Sequence, residues 1–206
     1  MSYLVKELFH SLQGEGAQTG RAALFIRFAG CNLWSGREAD RAEASCSFCD
    51  TDFLGGTRYP DAESLTEAVS LLWPAGTEGP RLAIITGGEP ALQLDEPLIA
   101  ALHDRGFQVA VETNGTLPLP VGIDWITVSP KAGTTLAVTT GDELKLIYPQ
   151  DGAPPEDFEH LAFTHFFLQP MDGPERDANT RAAIARCLTR PRWRLSLQTH
   201  KLLGIP

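Results

Sequence analysis

Three of the four cysteines in this 206-residue chain fall between Cys31 and Thr51, spaced C-x14-C-x2-C. Cys46 and Cys49 have the spacing of a chelating pair, and Cys31 can join them across the loop. Three thiolates can hold a metal centre and leave one coordination position free. A structural zinc ion takes four protein ligands. The chain offers no second CxxC and no HxxxH, so His10 or Asp50 would have to complete such a site. The fourth thiol, Cys187, shares a helical stripe with Ile184 and reads as a buried structural cysteine. A thioredoxin-like CxxC has no use for Cys31, and a disulfide does not suit a reducing compartment. A [4Fe–4S] cluster normally takes four thiolates. With three, one iron stays open to a ligand that is to be changed chemically. S-adenosylmethionine suits that position, because its amino and carboxylate groups chelate iron. One electron then cleaves its sulfur–carbon bond and releases a 5′-deoxyadenosyl radical.

The bulk properties bound the class of protein. The net charge of −9 disfavours nucleic acid as a primary partner. Apolar residues make up 43%, an ordinary globular share. No apolar run approaches the roughly 20 residues of a membrane span, and MSYLVKELFH does not read as a signal peptide. The expectation is one domain over residues 1–206, cytoplasmic, with reduced thiols.

The elements that must position the cysteines follow from periodicity. Tyr3 to Phe9 and Ala22 to Phe28 read as strands, the second running straight into Gly30-Cys31. Arg37 to Ala44 can form a helical turn within the cysteine loop. Asp61 caps a helix that Pro74 ends, with Leu65, Ala68, Val69 and Leu72 on one stripe. Asp95 caps a second helix, closed by Gly106, and a third spans about 178–188. Between and after them lie the apolar segments LAIIT, QVAVE, DWITV, ELKLIY, HFFLQ and RLSLQ. Apolar strands alternating with helices predict an α/β fold with a parallel sheet. A full eightfold barrel takes about 250 residues, and several gaps here are too short for a helix. The prediction is an incomplete (β/α) barrel of about six strands and three helices. Strand after strand ends in a polar Gly/Pro run: AGCN, TGGEP, ETNG, SPKAG, QPMDGP. In barrel folds such ends converge on one mouth.

With a three-cysteine loop after the first barrel strand, an aromatic-Cys pair (Phe48-Cys49) and a GGEP run after the next strand, the chain resembles the radical S-adenosylmethionine superfamily. Its fourteen-residue gap departs from the usual CxxxCxxC. The ordered motifs LQGEG, RFAGCNLWSGRE, CSFCDTDF, TGGEP, ETNG, SPK, ELK, QPMDGP and QTHK, with a terminal proline, resemble the 7-carboxy-7-deazaguanine synthase family, some members of which carry an enlarged loop. The resemblance implies conversion of 6-carboxy-5,6,7,8-tetrahydropterin to 7-carboxy-7-deazaguanine with loss of ammonia, magnesium assisting. It also implies a homodimer, and the chemistry a reductant such as flavodoxin or ferredoxin.

By that resemblance Cys31, Cys46 and Cys49 ligate the cluster and Thr51 ligates magnesium; by itself Thr51 also reads as a turn-capping hydroxyl. Phe48, Cys49 and Asp50 match S-adenosylmethionine contacts, as do Gly88, Ser129, Pro130, Lys131, Gln169, Pro170, Met171 and Asp172. Lys131 alone would pass for a solvated lysine. Within the GGE turn, backbone carbonyls or Glu89 can receive the cofactor's ammonium. Leu12, Gln13 and Gly14 match the pterin-recognising segment, and Thr86 a substrate contact. Arg27, charged within an apolar strand, calls for an anion: the substrate carboxylate, or an internal partner such as Glu15. The carboxylate of Pro206 matches a substrate contact, where a frayed end is the ordinary expectation. Glu112 and Asn114 fall at the mouth without a role. The alternatives are a radical enzyme on another small substrate, an activase included, and a non-catalytic zinc module.

Overall fold

The computed structural model describes residues 2–206. Nine strands form one mixed sheet, in the order β3-β1-β2-β4-β5-β6-β7-β8-β9. They are β1 (Tyr3–Leu12), β2 (Ala22–Phe28), β3 (Thr57–Tyr59), β4 (Arg81–Gly87), β5 (Phe107–Thr113), β6 (Trp125–Val128), β7 (Thr140–Tyr148), β8 (Ala162–Pro170) and β9 (Trp193–Leu195). From β2 to β9 every neighbouring pair is parallel. β1 runs antiparallel to β2, and β3 antiparallel to β1. β3 and β9 are free edges, so the sheet is an open partial barrel, as predicted. The strand count exceeds the expected six. β9 falls at the RLSLQ segment, whereas β3, three residues long, is too short to show a period.

Four α-helices are present among the described residues: α1 (Ala62–Leu72), α2 (Glu96–Asp104), α3 (Arg176–Thr189) and α4 (Thr199–Leu203). Asp61 caps α1 through a reciprocal pair with Ser64, an arrangement worth about 1 kcal/mol. Asp95 caps α2 and also accepts the Tyr3 hydroxyl at 2.6 Å, tying the helix to β1. The fourth helix was not foreseen, since the tail THKLLGIP lacks an apolar stripe long enough to signal one.

Alternation along each strand creates two unlike faces. One face packs Leu24, Ile26, Ala83, Ile85, Val109 and Val111 against Leu65, Val69, Leu98 and Leu102 of α1 and α2. Further along, Leu144, Leu146, Phe166 and Leu168 meet Ala183 of α3. Each fully buried Leu, Ile, Val or Phe contributes about 1.5–3 kcal/mol. α1, α2 and α3 leave the opposite face uncovered. Its strand beginnings carry a second apolar layer of Phe25, Leu82, Ile84 and Ala110, backed by Phe9 and Trp125. Its strand ends carry polar side chains instead, and there the cavity opens.

Candidate active site

A cavity of about 500 Å³ lies over these strand ends, well within the size of small-molecule sites. Its floor is built by register. Arg27 pairs with Thr86 across β2 and β4, and Glu112, Thr127 and Glu143 align across β5, β6 and β7. Lys145 follows Glu143 by two residues and so shares its face. The Lys145 ammonium is 5% exposed; it pairs with Glu15 and lies 3.6 Å from Glu112. Burial opposes its charge, yet Glu112, Glu15 and Glu143 together hold its pKa above the ordinary lysine range. Burial likewise works to raise Glu15, but Lys145 prevails and holds that carboxyl at about 2. Glu143 has no such direct contact. Burial pushes it up to about 7, although it accepts the Ala17 N–H at 2.9 Å. Gln13 donates to Glu112 Oε1 at 2.8 Å, and both residues line the cavity.

The cysteine loop forms the opposite wall. Its base is closed where the Gly30 N–H donates to the Phe53 carbonyl at 3.2 Å, and Trp34 packs edge-on against Phe53 inside it. The long insert between Cys31 and Cys46 folds back through short 3-10 turns at Glu38–Glu43, matching the expected helical turn. Arg41 in that insert stacks over Trp34, 4.3 Å from the ring centre, and donates to the carbonyls of Ser47 and Cys49 at 2.9 and 3.0 Å. The enlarged loop therefore braces the CxxC rather than displacing it.

Cys31, Cys46 and Cys49 all face the cavity. A hydrogen bond from Cys46 lowers Cys49 to about 6 and raises Cys46, while burial raises Cys31. Among the described residues, no three His, Cys, Asp or Glu side chains converge tightly enough to bind a single ion. A cluster asks for a wider set, because bridging sulfides separate its iron atoms. The surroundings fit one. Three thiols ring the site, and Gly88 lies so close that a Cβ there would stand 2.7 Å from Cys31 Cβ and 2.3 Å from the Gly30 carbonyl. Only glycine leaves that backbone open beside the cysteines. Cys187 stays on α3, packed against the core, so a fourth protein thiolate is not at hand.

The cavity wall includes Leu12, Gln13, Gly14, Arg27, Thr86 and Pro206, together with Phe48, Asp50, Thr51, Gly88, Ser129 and Lys131. It also includes Gln169, Pro170, Met171 and Asp172. Pro130 does not line it; that residue is buried, and its carbonyl accepts from Gln150. Glu89 corrects one expectation: it is fully buried and accepts from the Thr113 hydroxyl and the N–H groups of Asn114 and Ala91 at 2.6–2.9 Å. It ties β4 to β5 and is not turned toward a ligand. Arg27 pairs through Nε with Glu7 at 2.6 Å, not with Glu15, and it lines the cavity. Lys131 is no solvated lysine: it donates to the carbonyl and hydroxyl of Ser129, both at 2.7 Å, and burial lowers its pKa. Asn114 gains a role by donating to Asn32, beside Cys31, at 3.0 Å. The sequence assigns no role to Glu112, Glu143, Lys145 and His200, and offers Glu15 only as a partner for Arg27. The available signal is a Glu and a Lys two apart, on the same face of the ELKLIY run of β7.

No protein-family model matches the chain. Whole-length relatives do. A 7-carboxy-7-deazaguanine synthase from Bordetella pertussis is 61% identical over 214 residues, covering 100% of both chains. One from Caulobacter vibrioides is 60% identical over 211 residues, again covering 100% of both. The chain belongs to the 7-carboxy-7-deazaguanine synthase family. The crystal structure of QueE from Escherichia coli superposes with a TM-score of 0.71 at 29% identity, covering 96% of this chain and 94% of that one. As a 7-carboxy-7-deazaguanine synthase family member the chain is an enzyme, a lyase of the radical S-adenosylmethionine type serving queuosine biosynthesis. The reading as a non-catalytic zinc module falls with that membership.

Proposed function

We propose that the cavity binds 6-carboxy-5,6,7,8-tetrahydropterin and converts it to 7-carboxy-7-deazaguanine with loss of ammonia. The observation that carries this is the meeting of two opposed walls: three thiols on one, and on the other a guanidinium, a carboxylate and an amide able to read a carboxylated pterin. Cys31, Cys46 and Cys49 would hold a [4Fe–4S] cluster with one iron open to S-adenosylmethionine. When bound, that pair supplies a carbon-centred radical that takes a hydrogen atom from the substrate.

The protein's own groups do the rest. Backbone at Phe48–Asp50 and Gly88, with Ser129, Lys131 and Gln169–Asp172, forms the cofactor's seat. Arg27, steadied by Glu7, clamps the substrate carboxylate through its terminal nitrogens. Thr51, on the cavity wall, would offer its hydroxyl to a magnesium ion that also takes the substrate carboxylate. The Leu12–Gly14 backbone and Gln13 face the pterin edge, with Thr86 beside them. Glu112 Oε2 accepts from the ring's N–H donors, with the Lys145 ammonium 3.6 Å from Oε1 of the same carboxylate. The apolar layer of Phe9 and Phe25 shields the reacting carbon from water. The Pro206 carboxylate closes the substrate side, with its carbonyl oxygen bonded to the Ser11 hydroxyl at 2.8 Å. A flavodoxin or ferredoxin would supply the electron, and the working form would be a cytoplasmic homodimer. Among the described residues no helix is long and apolar enough to cross a membrane.

The test is an anaerobic assay of iron- and sulfide-reconstituted protein with dithionite, S-adenosylmethionine, magnesium and 6-carboxytetrahydropterin, followed by mass spectrometry. 7-Carboxy-7-deazaguanine should form, and a C-terminal extension beyond Pro206 should cripple turnover at normal iron content. Formation of 5′-deoxyadenosine without that product would mean a different substrate.

A further inference from the structure

Lys201 has no part in the roles above, yet it joins three segments of the cavity rim. It sits on α4, which is five residues long and buries none of them. The anchors of this C-terminal strap are polar. The Thr199 N–H and hydroxyl both donate to the Gly14 carbonyl at 2.9 Å, and Gln198 donates to Glu15 at 3.0 Å. Gly14 passes so near that a Cβ there would stand 2.2 Å from His200 Nδ1. Lys201 Nζ then reaches away from this group and donates to Asp50 and Asp172, each at 2.6 Å. Asp50 follows Cys49 in the cysteine loop, and Asp172 lies just beyond β8. One end of the strap therefore touches the substrate-reading turn and the other the segments that seat the cofactor.

We propose that Lys201 is a positioning residue that couples the two halves of the site. Substrate seated against Gly14 and Pro206 holds the strap down, and Lys201 then fixes Asp50 and Asp172 around S-adenosylmethionine. By reciprocity the cofactor tightens substrate binding by the same factor. A strap held by a few polar bonds, with no buried residue in its helix, opens at small cost, so its closure can be set by ligands. Each ion pair alone is half-exposed and weak. Two carboxylates from separate segments sharing one ammonium give a coupling of about 5- to 10-fold, at the low end of the usual range. This inference rests on the functional reading above.

Two measurements test it. In ligand-free protein, amide exchange at Lys201, Leu202 and Ile205, whose N–H groups bond within the strap, should quicken about 3- to 10-fold in Lys201→Met. In reconstituted enzyme, calorimetry should give the S-adenosylmethionine Kd with and without 6-carboxytetrahydropterin. The wild type should bind about 5- to 10-fold tighter with the pterin. Lys201→Met should bring that ratio close to one at unchanged iron content, Asp172→Asn should reduce it partway, and Lys201→Arg should restore it. An unchanged ratio in Lys201→Met, or unchanged exchange in the strap, overturns the coupling. Failure of the wild type to bind S-adenosylmethionine at all overturns the functional reading and the coupling with it.

Discussion

The floor and the rim of the cavity are built on different principles. The floor consists of strand ends whose side chains are placed by sheet register. Thr86, Thr113, Thr127, Glu143, Lys145 and Gln169 are all buried there, and Lys145 is caged by carboxylates. The rim consists of the cysteine loop and the C-terminal strap. Its ion pairs, Lys6–Asp52 and Lys201 with Asp50 and Asp172, are largely exposed. A floor charge cannot leave its partner without facing a low-dielectric interior, whereas a rim charge can turn to water. The floor is thus preorganised by folding, and the rim is left to be set by what binds.

Perturbing both regions sharpens the contrast. The largest effect belongs to a rim residue acting through the cluster. Cys31→Ala should lower turnover at least ~10³-fold, about 4 kcal/mol of transition-state stabilisation, while thermal melting of the iron-free protein stays near that of the wild type. Substantial residual turnover would remove Cys31 from the ligand set. Next comes Lys145→Met on the floor, which strands buried carboxylates and should cost about 3–5 kcal/mol in denaturant unfolding. A loss below ~1 kcal/mol would mean that the floor relaxes as the rim does.

A pH titration gives the third effect. Burial raises the Glu143 carboxyl from its ordinary 4.5 to about 7. The stability this shift contributes is therefore complete below pH 4.5 and is lost as pH rises through 7. Glu143→Gln lacks that loss, so between pH 4.5 and 8 its stability should gain on the wild type by roughly 2–3 kcal/mol. Parallel curves would place Glu143 in water. The smallest effect is expected of Lys6→Met. It removes the exposed pair with Asp52 and a bond to the Leu54 carbonyl, and it should leave the melting temperature unchanged while amides after Cys49 exchange faster.

Much of the site was legible in the chain because chemistry concentrated it in short motifs. The CxxC, the GGE turn and the polar strand ends announce themselves by residue type and spacing, and the parallel order follows from apolar runs that alternate with capped helices. The GGE motif leaves open whether Glu89 or the backbone carbonyls face the site, because it does not say which way the side chain turns. Here it turns inward, to two N–H groups and a hydroxyl. Arg27 was expected to need an anion, but not Glu7, which the antiparallel register sets opposite it. The sequence by itself determined the donor set, the strand-end placement of the polar residues and the absence of a fourth thiol near the loop. Tertiary structure alone decided that Glu15, Glu112, Glu143 and Lys145 form one buried network, and that the last eight residues fold back over the mouth. The charged network spans up to 130 positions and the tail's contacts up to 195, and no local period records which of these groups the folding of the sheet will bring into contact.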